Sequence, residues 1–461
     1  MQNQAIIQKK KGMSGSMKLI MLCWLIYAFS YVGKVNYAAS INQVMANFGV
    51  AKAEAGLVSS FFFFAYGIGQ ILNGILCKKY NLKLMISGSL LVSAVANVTV
   101  ALLPINAFGV VKIVWLINGI SMSILWPSLI RLITETLPKS LMVKATLIMG
   151  TTVAVGTCVA YGLSATIAAF SPKHNYIFFI AAGVLVTIAI IWLIASTPFI
   201  KAAKKEEEAE EAEEAAAEAA AETASDTPAT AKKKAPAKNI ITLTICMLAL
   251  YGIATNLIKD GLTSWMPTIL KEQYLLPDSI SILFTLALPI VSIFSNFLTV
   301  YLHKHCPDYI YQNVLVFGSS GILVVGIIAG LGLKNHIASL IITLVGFTLV
   351  TFIVYSSNTL ITSLYPMEMK GKINSGLIAG LLNGFCYVGS TLSTYGLGAI
   401  SDAFTNEATG YGGWNEVFWT ICGICAVVSA AAIVYACIRR AMTVKNNAKE
   451  AIASADESTE A

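Results

Sequence analysis

Residues 201–238 read KAAKKEEEAEEAEEAAAEAAAETASDTPATAKKKAPAK. This stretch divides the chain. It holds seven of the 31 Lys+Arg and ten of the 24 Asp+Glu, and it has no apolar face. It therefore reads as a solvated, partly helical linker. Outward from it, the sequence changes character on both sides. Apolar runs of the length needed to span a bilayer, about 20 residues, fall at 17–41, 54–76, 84–104, 109–134, 145–169 and 175–198 before the linker. Six more fall at 240–265, 279–302, 313–333, 337–363, 374–400 and 414–438 after it.

The composition agrees. Charged residues make up 12% of 461 and hydrophobic residues 56%, whereas soluble domains carry roughly 25% charge. The mean hydropathy is +0.73. Such a chain cannot cover itself with polar groups, which excludes a set of soluble domains. The net charge of +7 would suggest nucleic acid in a soluble protein; here it fits a loop bias. If the N-terminus is cytoplasmic, the inner segments outside the linker hold seventeen Lys/Arg. The outer loops hold Lys52, Lys112, Lys173, Lys271 and Lys334. That asymmetry places both termini and the linker inside. The first apolar run outlasts a signal-peptide core and lacks a small-residue cleavage site, so no cleavable leader is expected. The nine cysteines lie mostly in apolar runs and read as small hydrophobes, Cys422-x-x-Cys425 included.

The halves echo one another. Leu137-Pro138 with Lys144 recurs as Tyr365-Pro366 with Lys372, an offset of 228, and Lys34 matches Lys259 at an offset of 225. Two six-helix repeats joined by a cytoplasmic linker are the plan of the major facilitator fold. The expected organisation is an N-terminal bundle over 1–200, the linker over 201–238, a C-terminal bundle over 239–440 and a cytoplasmic tail over 441–461.

Removing loop, tail and linker charges leaves Lys34 and Lys259 inside the spans, with Asp260 beside the second. An intramembrane lysine costs about 2.5–3.5 kcal/mol on insertion scales, and such residues face water-filled cavities or partners. Snorkelling to an interface, or a structural pair with Asp260, is the alternative, and it is stronger for Lys259 near the end of its span. The matched positions favour a functional pair. Two ammonium groups on the order of 10 Å apart repel by about 1.7 kcal/mol at an effective dielectric near 20. An anion between them removes the repulsion and draws the halves together, which favours exchange of one anion for another.

Proton coupling needs a titratable group in the pathway. Glu135 and Asp402 sit at helix ends; His174, His303, His305 and His336 sit in loops or at helix ends. Asp260 is the one good candidate. Polar side chains recur at helical spacing: Tyr27, Tyr31 and Lys34; Tyr66, Gln70 and Asn73; Tyr355 and Asn358; Asn383 and Tyr387. They read as one polar stripe per helix facing a shared cavity, with helix–helix hydrogen bonding as the alternative. Gly67, Gly69, Gly74, Gly376 and Gly380 read as sites of close helix packing.

Several stretches carry a family likeness. They are Tyr27-x-x-x-Tyr31-x-x-Lys34-x-Asn36, Ala65-Tyr66-Gly67 with Gly74, Trp126-Pro127-x-x-x-Arg131, Lys259-x-Gly261 running to Trp265-x-Pro267-Thr-x-Leu-Lys-Glu272, Tyr355, and Phe385-Cys-Tyr387-Val-Gly389. On these the chain resembles the organophosphate:phosphate antiporters of the major facilitator superfamily. The resemblance covers both halves but not the acidic linker. It implies that Lys34 and Lys259 stand where paired arginines hold the substrate phosphate. It implies that Tyr27, Tyr31, Tyr66, Tyr355 and Tyr387 line the site. It also implies that the loop with Lys78 and Lys79, together with Arg131, takes part in gating. The departures matter. Lysine lacks the bidentate fork suited to phosphate. Gln70 replaces a family lysine, about Val153 a family histidine, and Lys78 the loop's acidic residue. A carboxylate or sugar acid fits this less basic site as well as a phosphate ester.

The sequence thus specifies an all-α membrane protein with twelve transmembrane helices in two pseudo-symmetric six-helix bundles. It reads as a monomeric secondary transporter of the inner (plasma) membrane. Its partners are the lipid bilayer and a small organic anion, not nucleic acid. Substrate contacts are expected from Lys34, Lys259, Tyr27, Tyr31, Tyr66, Gln70, Tyr355, Asn358, Asn383 and Tyr387, with Asp260 as the coupling candidate. Neither a metal nor a cofactor is implied. No nucleotide loop, metal cluster or nucleophile motif supports an enzyme. The alternatives are a transporter-like sensor of a sugar phosphate that signals to a kinase, with the linker as docking segment, and a proton-coupled symporter using Asp260.

Overall fold

The computed structural model describes residues 13–76, 80–221, 238–369, 375–406 and 412–459. A bilayer offers the backbone no hydrogen bonds, so an apolar chain crosses it as helices that satisfy their own amides. Among the described residues twelve helical elements follow in order. α1 is broken into Gly15–Ser30, Val32–Ala39 and Ile41–Phe48. α2 is Lys52–Leu76 and α3 is Leu82–Leu102. α4 is Phe108–Met122 and Leu125–Thr136; α5 is Met142–Gly150 and Thr152–Phe170; α6 is Asn175–Ala221. α7 is Lys238–Tyr274, and α8 is Asp278–Thr285, Ala287–Ser292 and Ser295–His305. α9 is Tyr309–Leu331, and α10 is His336–Thr359 continued by the π turn Leu360–Leu364 to Tyr365–Glu368. α11 is Ser375–Ala403 and α12 is Trp414–Thr459.

All but α11 are apolar enough over their length to cross a membrane by composition. α11 is 29 residues long and carries Asn383 and the buried Ser390, Ser393 and Thr394. It packs between α2 and α7, so its polar groups meet protein. Close approach makes this possible. A Cβ on Gly67 would stand 2.7 Å from the Cβ of Tyr387, and one on Gly56 would stand 2.2 Å from the Thr394 carbonyl. Gly380, by contrast, meets nothing within 4 Å, so close packing does not account for it.

α6 does not stop where the apolar run stops. It continues without a break to Ala221, so the first half of the acidic stretch is an extension of a membrane helix. That extension has partners. Glu206 accepts from Gly15 N at 2.7 Å and Ser16 N at 3.0 Å, capping the start of α1. Glu210 accepts from Ser140 N at 3.0 Å, between α4 and α5. Free amides at a helix start and carboxylates attract each other for the reason any helix N-terminus favours an anion. The face of the bundle with these contacts is called the linker face here, and the opposite one the far face.

The far face joins the halves tightly. Lys52 opens α2, and its ammonium lies 3.3 Å from Glu272 at the end of α7. The carboxylate of Asp402, at the end of α11, accepts from Lys52 N at 3.2 Å and Ala53 N at 2.6 Å. Trp414 Nε1 donates to Glu272 at 2.7 Å. Lys52 was an outer-loop charge in the sequence reading; the structure buries it to 5% exposure, because α2 begins at that residue. Thr268 donates to Asn42 at 2.7 Å, and Asn42 to Asp278 at 3.2 Å. Tyr161 donates to the Thr263 carbonyl at 3.0 Å. The described hydrogen bonds and ion pairs between the halves lie on this face or along the α2–α11 line. At the linker-face end of α4, Arg131 pairs with Glu135 of its own helix at 2.6 Å.

Candidate binding site between the two halves

The breaks in α1 set the first lysine. Ser30 Oγ donates to the Tyr27 carbonyl at 2.7 Å, and the helix restarts at Val32. Lys34 follows within that short segment. Its ammonium lies 4.0 Å from the ring centroid of Tyr66 and 4.8 Å from that of Tyr31. A desolvated cation over an aromatic face gains up to about 2 kcal/mol. That is less than a lost hydration shell requires. Among the described residues, no carboxylate comes within ion-pair distance of Lys34.

Around it the tyrosines interlock. Tyr27 and Tyr66 hydroxyls are 3.5 Å apart. Tyr27 packs edge-on to Tyr31 at 5.6 Å and against Trp126 at 4.8 Å. Tyr66 meets Tyr387 of the other half at 5.0 Å. One helical turn toward the linker face, Asn383 donates to Gln70 at 2.6 Å, again across the halves.

The second lysine has different company. Lys259 sits 3.3 Å from Asp260, with side-chain exposures of 12% and 17%, so the pair is not sealed from the space between the halves. Its ammonium lies 5.0 Å from the Tyr355 ring centroid. Asp260 is held from behind. Ser390 Oγ donates to it at 2.5 Å, Asn256 donates to Ser390 at 3.0 Å, and Asn358 donates to Asn256 at 2.9 Å. This chain ties α7, α11 and α10 to one carboxylate. α11 joins the two clusters: its Tyr387 ring meets Tyr66 at 5.0 Å, and Ser390, one turn further along, donates to Asp260.

All ten expected contact residues and Asp260 therefore gather in one region, in two clusters. Asn358 and Asn383 serve there as hydrogen-bond partners of other side chains. Arg131 stands apart, at the end of α4. Lys78 and Lys79 lie outside the described residues. Asn73, third in the α2 stripe, is buried and donates to Ser123 of α4 at 2.7 Å; it fastens two helices and does not face the site. The sequence reading missed Asn256 and Ser390. Both carried a signal: Asn256 lies one turn before Lys259 and Asp260, and Ser390 extends the Asn383–Tyr387 stripe by three residues.

Membrane-spanning helices in two halves, closed on one face around an internal charged site, are the architecture of a membrane transporter. A sequence profile described as Major Facilitator Superfamily matches residues 23–394. The chain belongs to that superfamily, a class of transporters and not of enzymes. A "Probable hexose phosphate transport protein" of Chlamydia trachomatis serovar D is 24% identical over 132 residues, which is 29% of this chain and 28% of the relative. The "Membrane sensor protein UhpC" of Escherichia coli K12 is 22% identical over 80 residues, 17% of this chain and 18% of the relative. The chain thus matches less than a third of the length of these curated relatives. The fold is shared more widely. The crystal structure of a bacterial homologue of the human lysosomal transporter Spinster, inward-facing and occupied, superposes with a TM-score of 0.69 at 14% identity, covering 90% of this chain and 96% of the other.

Proposed function

We propose that this protein is a secondary transporter of a small organic anion, working by alternating access and exchanging one anion for another. The observation that carries the reading is Lys34, a cation inside the bundle held over Tyr66 and Tyr31 with no carboxylate beside it. Lys259, at the matched position of the other half, lies over Tyr355 beside Asp260. An anion between them supplies the missing counter-charge, which rewards closure of the halves around it. Empty, the carrier keeps the uncompensated Lys34 ammonium between the halves and resists closing around it. Exchange of like charges also avoids moving net charge against the membrane potential, about 2.3 kcal/mol per charge per 100 mV. The names of the chlamydial relatives, hexose phosphate transport proteins, support an anionic, sugar-sized cargo.

In this reading the linker face and both termini are cytoplasmic and the chain works as a monomer in the plasma membrane. The sealed far face with Lys52, Glu272 and Asp402 then makes the structure inward-facing. Lys78, Lys79 and Arg131 are assigned to the cytoplasmic gate. Counterflow in proteoliposomes tests the proposal. Preloaded unlabelled anion should drive uptake of labelled anion, and an imposed proton gradient should add nothing. Accumulation driven by protons alone would replace exchange with symport through Asp260. The match to a membrane sensor favours a second reading, ligand sensing without transport. Binding without counterflow would establish it.

A further inference from the structure

The charge inside the site can be counted. Lys34 contributes one positive charge; Lys259 and Asp260 form a pair at 3.3 Å and cancel. Among the described residues near them, the other groups are neutral: Tyr27, Tyr31, Tyr66, Tyr355, Tyr387, and the amides of Gln70, Asn358 and Asn383. Asp260 is not incidental to this sum. The relay Asn358–Asn256–Ser390 holds it from three helices, so it stays beside Lys259 and does not swing away from an arriving anion.

We infer that the site is matched to a monoanion, a sugar-sized carboxylate, and that Asp260 is the residue that sets this specificity against phosphate dianions. The inference rests on the anion-transport reading and deepens it. A monoanion brings the cavity to zero. A dianion leaves one uncompensated negative charge in a low-dielectric space, where burying charge is penalised. The fixed carboxylate of Asp260 would also repel it. This departs from the hexose phosphate named for the chlamydial relatives.

The test uses matched pairs of ligands. D-Glucuronate and D-glucose 6-phosphate share a hexose skeleton, as do D-glycerate and glycerol 3-phosphate share a three-carbon one; at pH 8 each phosphate is a dianion, its second pKa lying near 6. Dissociation constants are measured on purified wild type, Asp260→Asn and Lys259→Gln/Asp260→Asn. Asn keeps the shape and can still accept from Ser390. Wild type should prefer the carboxylate of whichever pair it binds. Asp260→Asn, which raises the cavity charge by one, should move the preference toward the phosphate by about tenfold, the effect of one charge at roughly 10 Å and an effective dielectric near 20. The double variant restores the original sum and should restore the carboxylate preference, which separates charge from any fault in folding. A wild-type preference for the phosphate, or a ratio unmoved in Asp260→Asn, overturns the charge match while leaving anion transport intact. Failure of wild type to bind any of the four, with binding of neutral sugars instead, overturns the anion reading and this inference with it.

Discussion

Lys34 and Lys259 occupy equivalent places in two repeats, 225 residues apart, yet their surroundings differ. Lys34 is cradled by aromatic rings. Lys259 is tied to Asp260, and Asp260 to a three-residue relay. The difference teaches that the repeat preserves position more than local electrostatics. One half supplies an uncompensated cation, which attracts ligand at the expense of the empty protein's stability. The other supplies a compensated pair, which orients ligand and holds α7 to α11.

The comparison can be broken most forcefully at Lys259. Lys259→Ala removes a cation and strands Asp260. Stranding a half-buried carboxylate this way costs up to about 3 kcal/mol, so both anion affinity and thermal stability should fall. Adding Asp260→Asn should recover the stability without recovering the affinity. Unfolding followed by tryptophan fluorescence reads the first, equilibrium binding the second.

Lys34→Ala should separate the two properties. Anion affinity should drop about 100-fold, in line with a lost charge-assisted contact of up to about 3 kcal/mol. The ligand-free protein should melt no lower than wild type, because a cation held inside the bundle without a carboxylate partner is gone. Lower stability in this variant would mean that Lys34 has a structural partner.

A smaller effect is expected at the far face. Lys52→Met removes the cation that Glu272 and the α2–α11 junction share. The far face should open more often. Spin labels at Ile105 and Leu275, both exposed at 70% and 77%, should show a larger long-distance population than wild type on a cysteine-free background. An unchanged distance distribution would show that packing of Trp265 and Gly56 against α11, and not the ion cluster, seals this face. The smallest effect is expected from Asn358→Ala. It leaves the Asn256 acceptor unpaired, which costs about 1 kcal/mol of stability, and changes affinity less than tenfold.

The fold was largely legible because the bilayer imposes a length and a polarity rule that the sequence obeys run by run. The least obvious span was α11, whose Ser and Thr residues are explained only by its place between α2 and α7. The acidic stretch was legible as partly helical, but not as a continuation of α6. Its contacts from Glu206 and Glu210 depend on where α1 and the α4–α5 turn come to lie. In the site, the two lysines stood out because charge inside a span is rare. Ser390 and Asn256 did not, since hydroxyls and amides are common in packed membrane helices. Lys52 was hidden for the opposite reason: at a span's edge, a buried latch and a solvated loop lysine have the same sequence appearance.

The proposed function turns on an anion held between Lys34 and Lys259. The most direct measurement is ligand-induced thermal stabilisation of wild type and Lys34→Gln, across phosphate esters, sugar acids and dicarboxylates. At least one anion should stabilise wild type and leave Lys34→Gln unmoved at the same concentration. Equal stabilisation of both proteins by that anion, or stabilisation by neutral sugars alone, would contradict it.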